Sequence, residues 1–231
     1  MLLFSLECSA AAASAAIYRD EKLLGEEFLN VPQTHSVTLL PMAKSLLEHT
    51  GISPAQMDLY AVTNGPGSFT GLRIGIAAIK GLAFPDDTPC IGVSTPEAIA
   101  YGLLGFEGTV IPMMDARCGQ VYTALFQGKD GRLTRLSEDE ALPLSELKEK
   151  LKSCLGPLWL CGDGAHLGLA AWGEELPVRM APAHLCCQRA SAVGLAAMQH
   201  LGEAVSPAAL VPCYLRPANA MTLAERQHKA E

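Results

Sequence analysis

The stretch "AVTNGPGSFTGLRIGIAAIKGLAF", residues 61–84, gathers five glycines and a proline around Ser68, Thr63, Thr70 and Arg73. Such residues could cradle a phosphate on backbone amides, expose a nucleophile, or notch a helix for close packing. A Walker A loop needs Lys followed by Ser or Thr after its last glycine, whereas Leu72 and Arg73 follow Gly71. The dinucleotide pattern G-x-G-x-x-G fails because Thr70 stands where the third glycine belongs. Pro66 and Thr70 occupy the places where the nucleophile elbow G-x-S-x-G needs glycine. What remains is a strand-to-helix turn capped by Ser68 or Thr70. Its amides around Gly65, Gly67 and Ser68 either hold an anion or form a capped loop with no ligand.

Metal and thiol chemistry find less support. Among His35, His49, His166, His184, His200 and His228 no two are four apart, so the sequence contains no helical metal pair. The eight cysteines (8, 90, 118, 154, 161, 186, 187, 213) include no C-x-x-C spacing and read as buried, reduced thiols of a cytosolic protein. Cys186 and Cys187 are expected to pack, because chain neighbours cannot easily chelate one ion or form an unstrained disulfide.

These groups sit in a chain of 231 residues, 49% apolar, with a net charge of -7 from 17 basic and 24 acidic side chains. No segment collects Lys and Arg without interleaved acids, which argues against a direct grip on nucleic acid. The start, "MLLFSLECSAAAASAA", imitates a secretory leader, but it has no basic region and Glu7 interrupts the apolar run. No later run reaches the roughly 18 apolar residues of a membrane span. A cytoplasmic protein without membrane contact is expected.

The elements that must position the glycine turn begin with a three-strand meander, residues 2–8, 12–18 and 23–29. "THSVTLLPMAKSLLEHTG" then places Leu39, Leu40, Met42, Ala43, Leu46 and Leu47 within about 160° of one helical wheel, with Gly51 as its stop and Pro41 predicting a bend. "LYAVTNG" is a strand, the glycine turn feeds a second helix over about 70–84, "PCIGVS" is another strand, and Ser94 or Thr95 caps a third helix with Pro96 in its first turn. After residue 105 the order starts again. "TVIPMMDA", "QVYTALFQ" and "GRLTRLSE" read as strands, "LSELKEKLKS" as a helix, "GPLWLCGDG" as a strand and "RASAVGLAAMQHLG" as a helix closed by Gly202. A duplicated α/β architecture follows, with subdomains over 1–105 and 106–216 and a polar, frayed tail over 217–231. Within the second helix, Gly71, Gly75, Ala78 and Leu82 fall within about 60° of each other, opposite Arg73 and Lys80. This helix is either buried inside the chain or forms a subunit contact.

"TNGPGSFTGLRIGIAAIKGLA", together with "THSVTLLPM", "IGVSTPEAIA", "MMDARCGQVYTALF" and "VPCYLRP", closely resembles the bacterial TsaB (YeaZ) family over nearly the whole chain. The resemblance implies the duplicated actin, sugar-kinase and Hsp70-like (ASKHA) fold, with a mixed sheet and helices in each subdomain. It also implies a non-catalytic partner of TsaD, which transfers a threonylcarbamoyl group to adenosine 37 of ANN-decoding tRNAs, alongside TsaE and TsaC. By the same resemblance the first two helices form a bundle with TsaD, or a homodimer when TsaD is absent, through His35, Leu39, Met42, Leu46, Gly71, Arg73, Gly75 and Ala78. Each of these could equally be internal core, and His35 could be a surface or capping imidazole.

The positions matching the metal-binding histidines of TsaD are Thr95 and Ile99, which cannot ligate as imidazole does. No metal and no peptidase chemistry are therefore expected, and the lack of a basic stripe adds the expectation of little or no direct tRNA contact. Where the fold offers an aspartate to metal and phosphate, the chain reads Glu7, Cys8, Ser9 rather than the family's usual Asp-Thr-Ser. Glu7, Ser9, Gly65, Gly67, Ser68 and Asp115 would make up a vestigial nucleotide site, with no tightly bound cofactor and at most a weak or shared adenine nucleotide. Asp115 could instead close an Asx turn before Gly119. The rival reading is a stand-alone phosphotransferase using these same groups.

Overall fold

The computed structural model describes residues 1–216, and the tail at 217–231 lies outside the described residues. The first meander consists of β1 (Leu2–Glu7), β2 (Ala13–Arg19) and β3 (Lys22–Leu29), all antiparallel. After α1 (His35–Thr50), the parallel strands β4 (Leu59–Gly65) and β5 (Cys90–Ser94) extend the sheet in the order β3-β2-β1-β4-β5. α2 (Phe69–Ala83) joins β4 to β5, and α3 (Thr95–Tyr101) leaves β5. The sequence punctuates each helix. Gly51, at φ 66°, closes α1 with its N–H on the Glu48 carbonyl, and α1 runs unbroken through Pro41. Ser68 Oγ accepts from the Gly71 amide at 3.2 Å, and Ser94 Oγ accepts from the Glu97 amide at 3.2 Å.

The second half repeats the plan. β6 (Gly108–Arg117) and β7 (Gln120–Thr123) form a hairpin, β8 (Phe126–Lys129) and β9 (Arg132–Arg135) form an inserted one, and β10 (Glu140–Pro143) leads into α4 (Leu144–Leu151). β11 (Leu158–Cys161), α5 (Ala165–Trp172), β12 (Val178–Met180) and α6 (Ala190–Ala197) follow. The order β10-β7-β6-β11-β12 matches β3-β2-β1-β4-β5 strand for strand.

"QVYTALFQ", expected as one strand, is two. Both β7 and β8 pair with β6 in the same antiparallel register, and the break at Ala124 and Leu125 lies opposite Ile111 and Pro112. Pro112 has no N–H, so the ladder cannot continue there. β10, α5 and β12 were not expected; they span four, eight and three residues, too short for a clear periodicity. α6 ends at Ala197, short of the stop expected at Gly202.

Each half lends its last helix to the other. One face of the first sheet packs Phe4, Leu6 and Ile17 against Leu39, Met42 and Ile76 of α1 and α2. Its other face packs Leu3, Ala61 and Val93 against Ala190, Val193 and Ala197 of α6. The small residues of α6 permit this: a Cβ on Gly194 would come within 2.7 Å of the Tyr18 ring. In return Ile99 and Ala100 of α3 meet Val110, Met114 and Phe126 of the second sheet. Residue 105 thus separates the two sheets but not the helices that cover them.

Candidate functional site

The glycine turn is built against its own chain. The Ser68 amide donates to the Ser9 carbonyl at 2.7 Å, and the Gly71 and Leu72 amides are taken by the Ser68 side chain and carbonyl. A Cβ on Gly67 would meet the Ser9 carbonyl at 2.7 Å, and one on Gly65 would strike the Cys213 carbonyl. The glycines are there so that the first hairpin and the segment 210–216 can approach, and the Ser68, Gly71 and Leu72 amides are engaged within the chain.

Glu7, at the end of β1, is fully buried. Its Oε1 accepts from the Ser9 amide at 2.6 Å and the Ser9 hydroxyl at 2.5 Å, while Oε2 has no partner. Burial pushes the Glu7 carboxyl above its usual range, and the Ser9 donors pull it back in part. Cys8 is buried too, and its thiol donates to the Gly71 carbonyl at 3.1 Å.

Ser9, not Glu7, lines the cleft between the two sheets, a cavity of about 460 Å³ shared with Ser68, Asp115, Arg117, Tyr122 and Asp163. Asp115 Oδ1 accepts from the Arg117 amide at 2.8 Å, the Asx-type turn that was one of its two readings. Asp163, which the sequence reading passed over inside "CGDG", stands on the same wall and accepts from Gln188 Nε2 at 3.0 Å. Burial raises the Asp163 carboxyl, and the Asp115 charge adds to that rise. Glu7 is thus sealed from the cleft and the Ser68, Gly71 and Leu72 amides are engaged within the chain, which leaves Ser9, Ser68, Asp115 and Asp163 as the groups that face it. Among the described residues no group of three or more His, Cys, Asp or Glu is placed to hold a metal, and Thr95 and Ile99 are both buried. The expectation of uniformly buried thiols is corrected: Cys8, Cys90 and Cys161 are buried, Cys118 and Cys213 exposed, and Cys154, Cys186 and Cys187 intermediate.

The expected interface residues mostly face inward. Leu39, Met42 and Leu46 are 0%, 4% and 4% exposed, and belong to the core under the first sheet. An amphipathic helix buries its apolar stripe against whatever sheet is available, and here the sheet is this chain's own. Gly71 and Gly75 are corrected in the same way, since they face Cys8 and not a neighbouring helix. His35 is half-buried, with Nε2 paired to the Ala10 carbonyl at 2.7 Å, which ties α1 to the first hairpin. Ala78 is half-buried against the core, and Arg73 is exposed.

What α1 and α2 turn outward is a second apolar face. Val37 and Leu40 are 63% and 53% exposed. A groove of about 660 Å³ lies between the helices, lined by Leu40, Ala43, Leu47, Ile52, Pro54 and Leu82 and edged by the Lys44–Glu48 pair at 3.7 Å. A concave apolar surface flanked by exposed aliphatic side chains marks a contact site more often than a bare monomer face. Among the described residues no helix is long and apolar enough to cross a membrane.

Comparison with known proteins places this architecture. The family model for TsaD, tRNA N6-adenosine threonylcarbamoyltransferase, matches residues 29–153. The chain is similar to the tRNA threonylcarbamoyladenosine biosynthesis protein TsaB of Bacillus subtilis, with 31% identity over 95% of this chain and 96% of the relative. It also resembles the solved structure of YeaZ from Pseudomonas aeruginosa, with a TM-score of 0.77 and 27% identity over 93% of this chain and 99% of that one. The activator of 2-hydroxyisocaproyl-CoA dehydratase from Clostridium difficile shares the fold alone, at 13% identity and a TM-score of 0.51 over 88% of this chain and 96% of that one. The fold is the duplicated actin, sugar-kinase and Hsp70-like type.

Proposed function

Because the chain belongs to the TsaB (YeaZ) family of tRNA threonylcarbamoyladenosine biosynthesis proteins, we propose that it serves that pathway as a non-catalytic scaffold for TsaD. The observation that carries this reading is the apolar groove between α1 and α2, flanked by the exposed Val37 and Leu40. The equivalent helix pair of TsaD docks there, and a second copy of the chain takes the groove when TsaD is absent. The contact is made by Val37, Leu40, Leu47 and Leu82, with Ala78 beside them; Leu39, Met42 and Leu46 support it from within. TsaE and TsaC complete the reaction, in the cytoplasm.

The sealed Glu7 and the engaged Ser68, Gly71 and Leu72 amides favour a body without chemistry of its own over a stand-alone phosphotransferase. Adenine nucleotide, if bound, is held weakly or jointly with the partner. Buried apolar area at the groove drives association at roughly 25 cal/mol per Å² before entropic costs.

The test is reconstitution of tRNA threonylcarbamoylation by the cognate TsaD, TsaE and TsaC, with and without this chain and with Leu40→Asp. The reaction should need the chain and fail with Leu40→Asp. Full activity with the variant, or turnover of substrate by the isolated chain, overturns the reading.

A further inference from the structure

Two arginines from distant segments, Arg117 and Arg216, line one hollow at the rim of the cleft between the two sheets, and a third, Arg73, packs behind its aromatic wall of Phe69 and Tyr214. Arg73 comes from α2, Arg117 from the turn between β6 and β7, and Arg216 from the last described residues. The Arg117 side chain is 87% exposed, carried outward by a turn in which Arg117, Cys118 and Gly119 have φ of 67°, 53° and 72°. Arg216 Nη1 donates to the Ala116 carbonyl at 2.9 Å, which fixes its guanidinium beside that turn. Arg73 lies 3.9 Å over the Phe69 ring, and its Nε donates to the Tyr214 hydroxyl at 3.1 Å. Tyr214 in turn stacks on Phe69, centroids 4.8 Å apart at 28°, and is 37% exposed. Among these groups is a hollow of about 180 Å³ whose lining includes Arg117, Arg216, Tyr122 and Tyr214 and, among the described residues, no acidic one, with the Asp115 carboxylate outside it 3.8 Å from the Arg117 guanidinium.

We propose that this rim binds a segment of single-stranded RNA, one phosphate between Arg117 and Arg216 and a base stacked on Tyr214. Preorganised guanidinium groups beside a fixed aromatic face are the two parts of such recognition. The hollow is smaller than the roughly 300–1,000 Å³ of enclosed small-molecule sites, which suits a strand lying across it better than a free nucleotide held whole. The inference rests on the tRNA pathway proposed above for the class of nucleic acid, and it confines contact to one rim of a body that otherwise repels phosphate.

The test is fluorescence anisotropy of a labelled tRNA anticodon stem-loop titrated with the purified chain, alone and then with TsaD. Arg117→Ala, at a side chain that is 87% exposed and pairs with Asp115 at 3.8 Å, should fold normally, weaken binding several-fold and lower the slope of log affinity against log salt by about one. Tyr214→Leu should weaken binding about fivefold or more. Arg132→Ala, the same charge loss on β9 near the other end of β6, should leave it unchanged. The proposal is overturned if wild type binds no RNA, if Arg117→Ala and Tyr214→Leu bind as wild type does, if Arg132→Ala costs as much as Arg117→Ala, or if free ATP displaces the probe as well as unlabelled RNA does. Because the chain is also titrated alone, failure to pair with TsaD would sink the scaffold reading without deciding this one.

Discussion

The carbonyl oxygen of Cys8 occupies the space that a Cβ on Gly71 would need, and the Cys8 thiol donates back to the Gly71 carbonyl at 3.1 Å. α2 is therefore seated on the end of β1, with backbone against backbone. Gly71→Ala should cost roughly 1–3 kcal/mol as overpacking, or prevent folding. Gly81→Ala, with nothing within 4 Å of the new Cβ, should gain about 0.5–1 kcal/mol from helix propensity. Urea unfolding midpoints of the two variants check the contrast.

Adjacent leucines of α1 should separate stability from association. Leu39 is fully buried, so Leu39→Ala should lose about 2–5 kcal/mol. Leu40 is 53% exposed at the groove, so Leu40→Asp should stay within about 0.5 kcal/mol of wild type while losing TsaD from the complex. Thermal melts and size-exclusion chromatography read the two effects. A Leu40→Asp chain that still co-elutes with TsaD would move the interface elsewhere.

Glu7 gives the chain a pH dependence. Its folded pKa lies above the ordinary 4.5, so the folded state holds a proton that the unfolded state releases first. Stability attributable to this group is full below about 4.5 and falls as pH rises toward the folded value. Gln mimics the protonated acid in carrying no charge, and its Oε1 can still accept from Ser9. Glu7→Gln should remove that fall, so variant and wild type should diverge in the variant's favour as pH rises from 4.5 toward neutrality in paired melts.

His200 acts with the opposite sign. Burial alone would lower its pKa, but Glu97 and Glu203, each 2.9 Å from a ring nitrogen, outweigh that and raise it above 6.5. The stabilisation is complete below 6.5 and is lost as pH rises through the higher folded value. The imidazole is about 30% exposed, so the effect should be modest. His200→Gln should flatten stability between neutral and mildly alkaline pH, and a variant profile parallel to wild type would show that the pairs contribute nothing.

The sequence made the architecture readable where one local pattern sufficed. Gly51, Ser68 and Ser94 mark helix ends because caps act within a few residues, and the repeated meander declared the duplication. Direction was harder. The wheel of α1 identifies an apolar face at Leu39, Met42 and Leu46, but nothing local says whether a sheet or a partner covers it. The glycines of α2 announce a close approach without naming what approaches, which turned out to be Cys8. Asp163 was hidden in a turn that looked merely flexible, although its place after β11 mirrors the glycine turn after β4. The convergence of Arg117 and Arg216 on one hollow, with Arg73 behind its aromatic wall, depends on the tertiary path alone, so charge counting along the chain could not find it.

The exchange of terminal helices has a consequence for biosynthesis. Leu3, Ala61 and Val93 lie on a sheet face that α6 covers at Ala190, Val193 and Ala197, with Ala98 and Tyr101 of α3 beside it. Until a ribosome has released the residues of α6, the first sheet displays a greasy surface to water, and chaperones or early docking of another polypeptide must shield it. Premature termination anywhere before α6 should leave a product fated for proteolysis rather than a usable half-molecule.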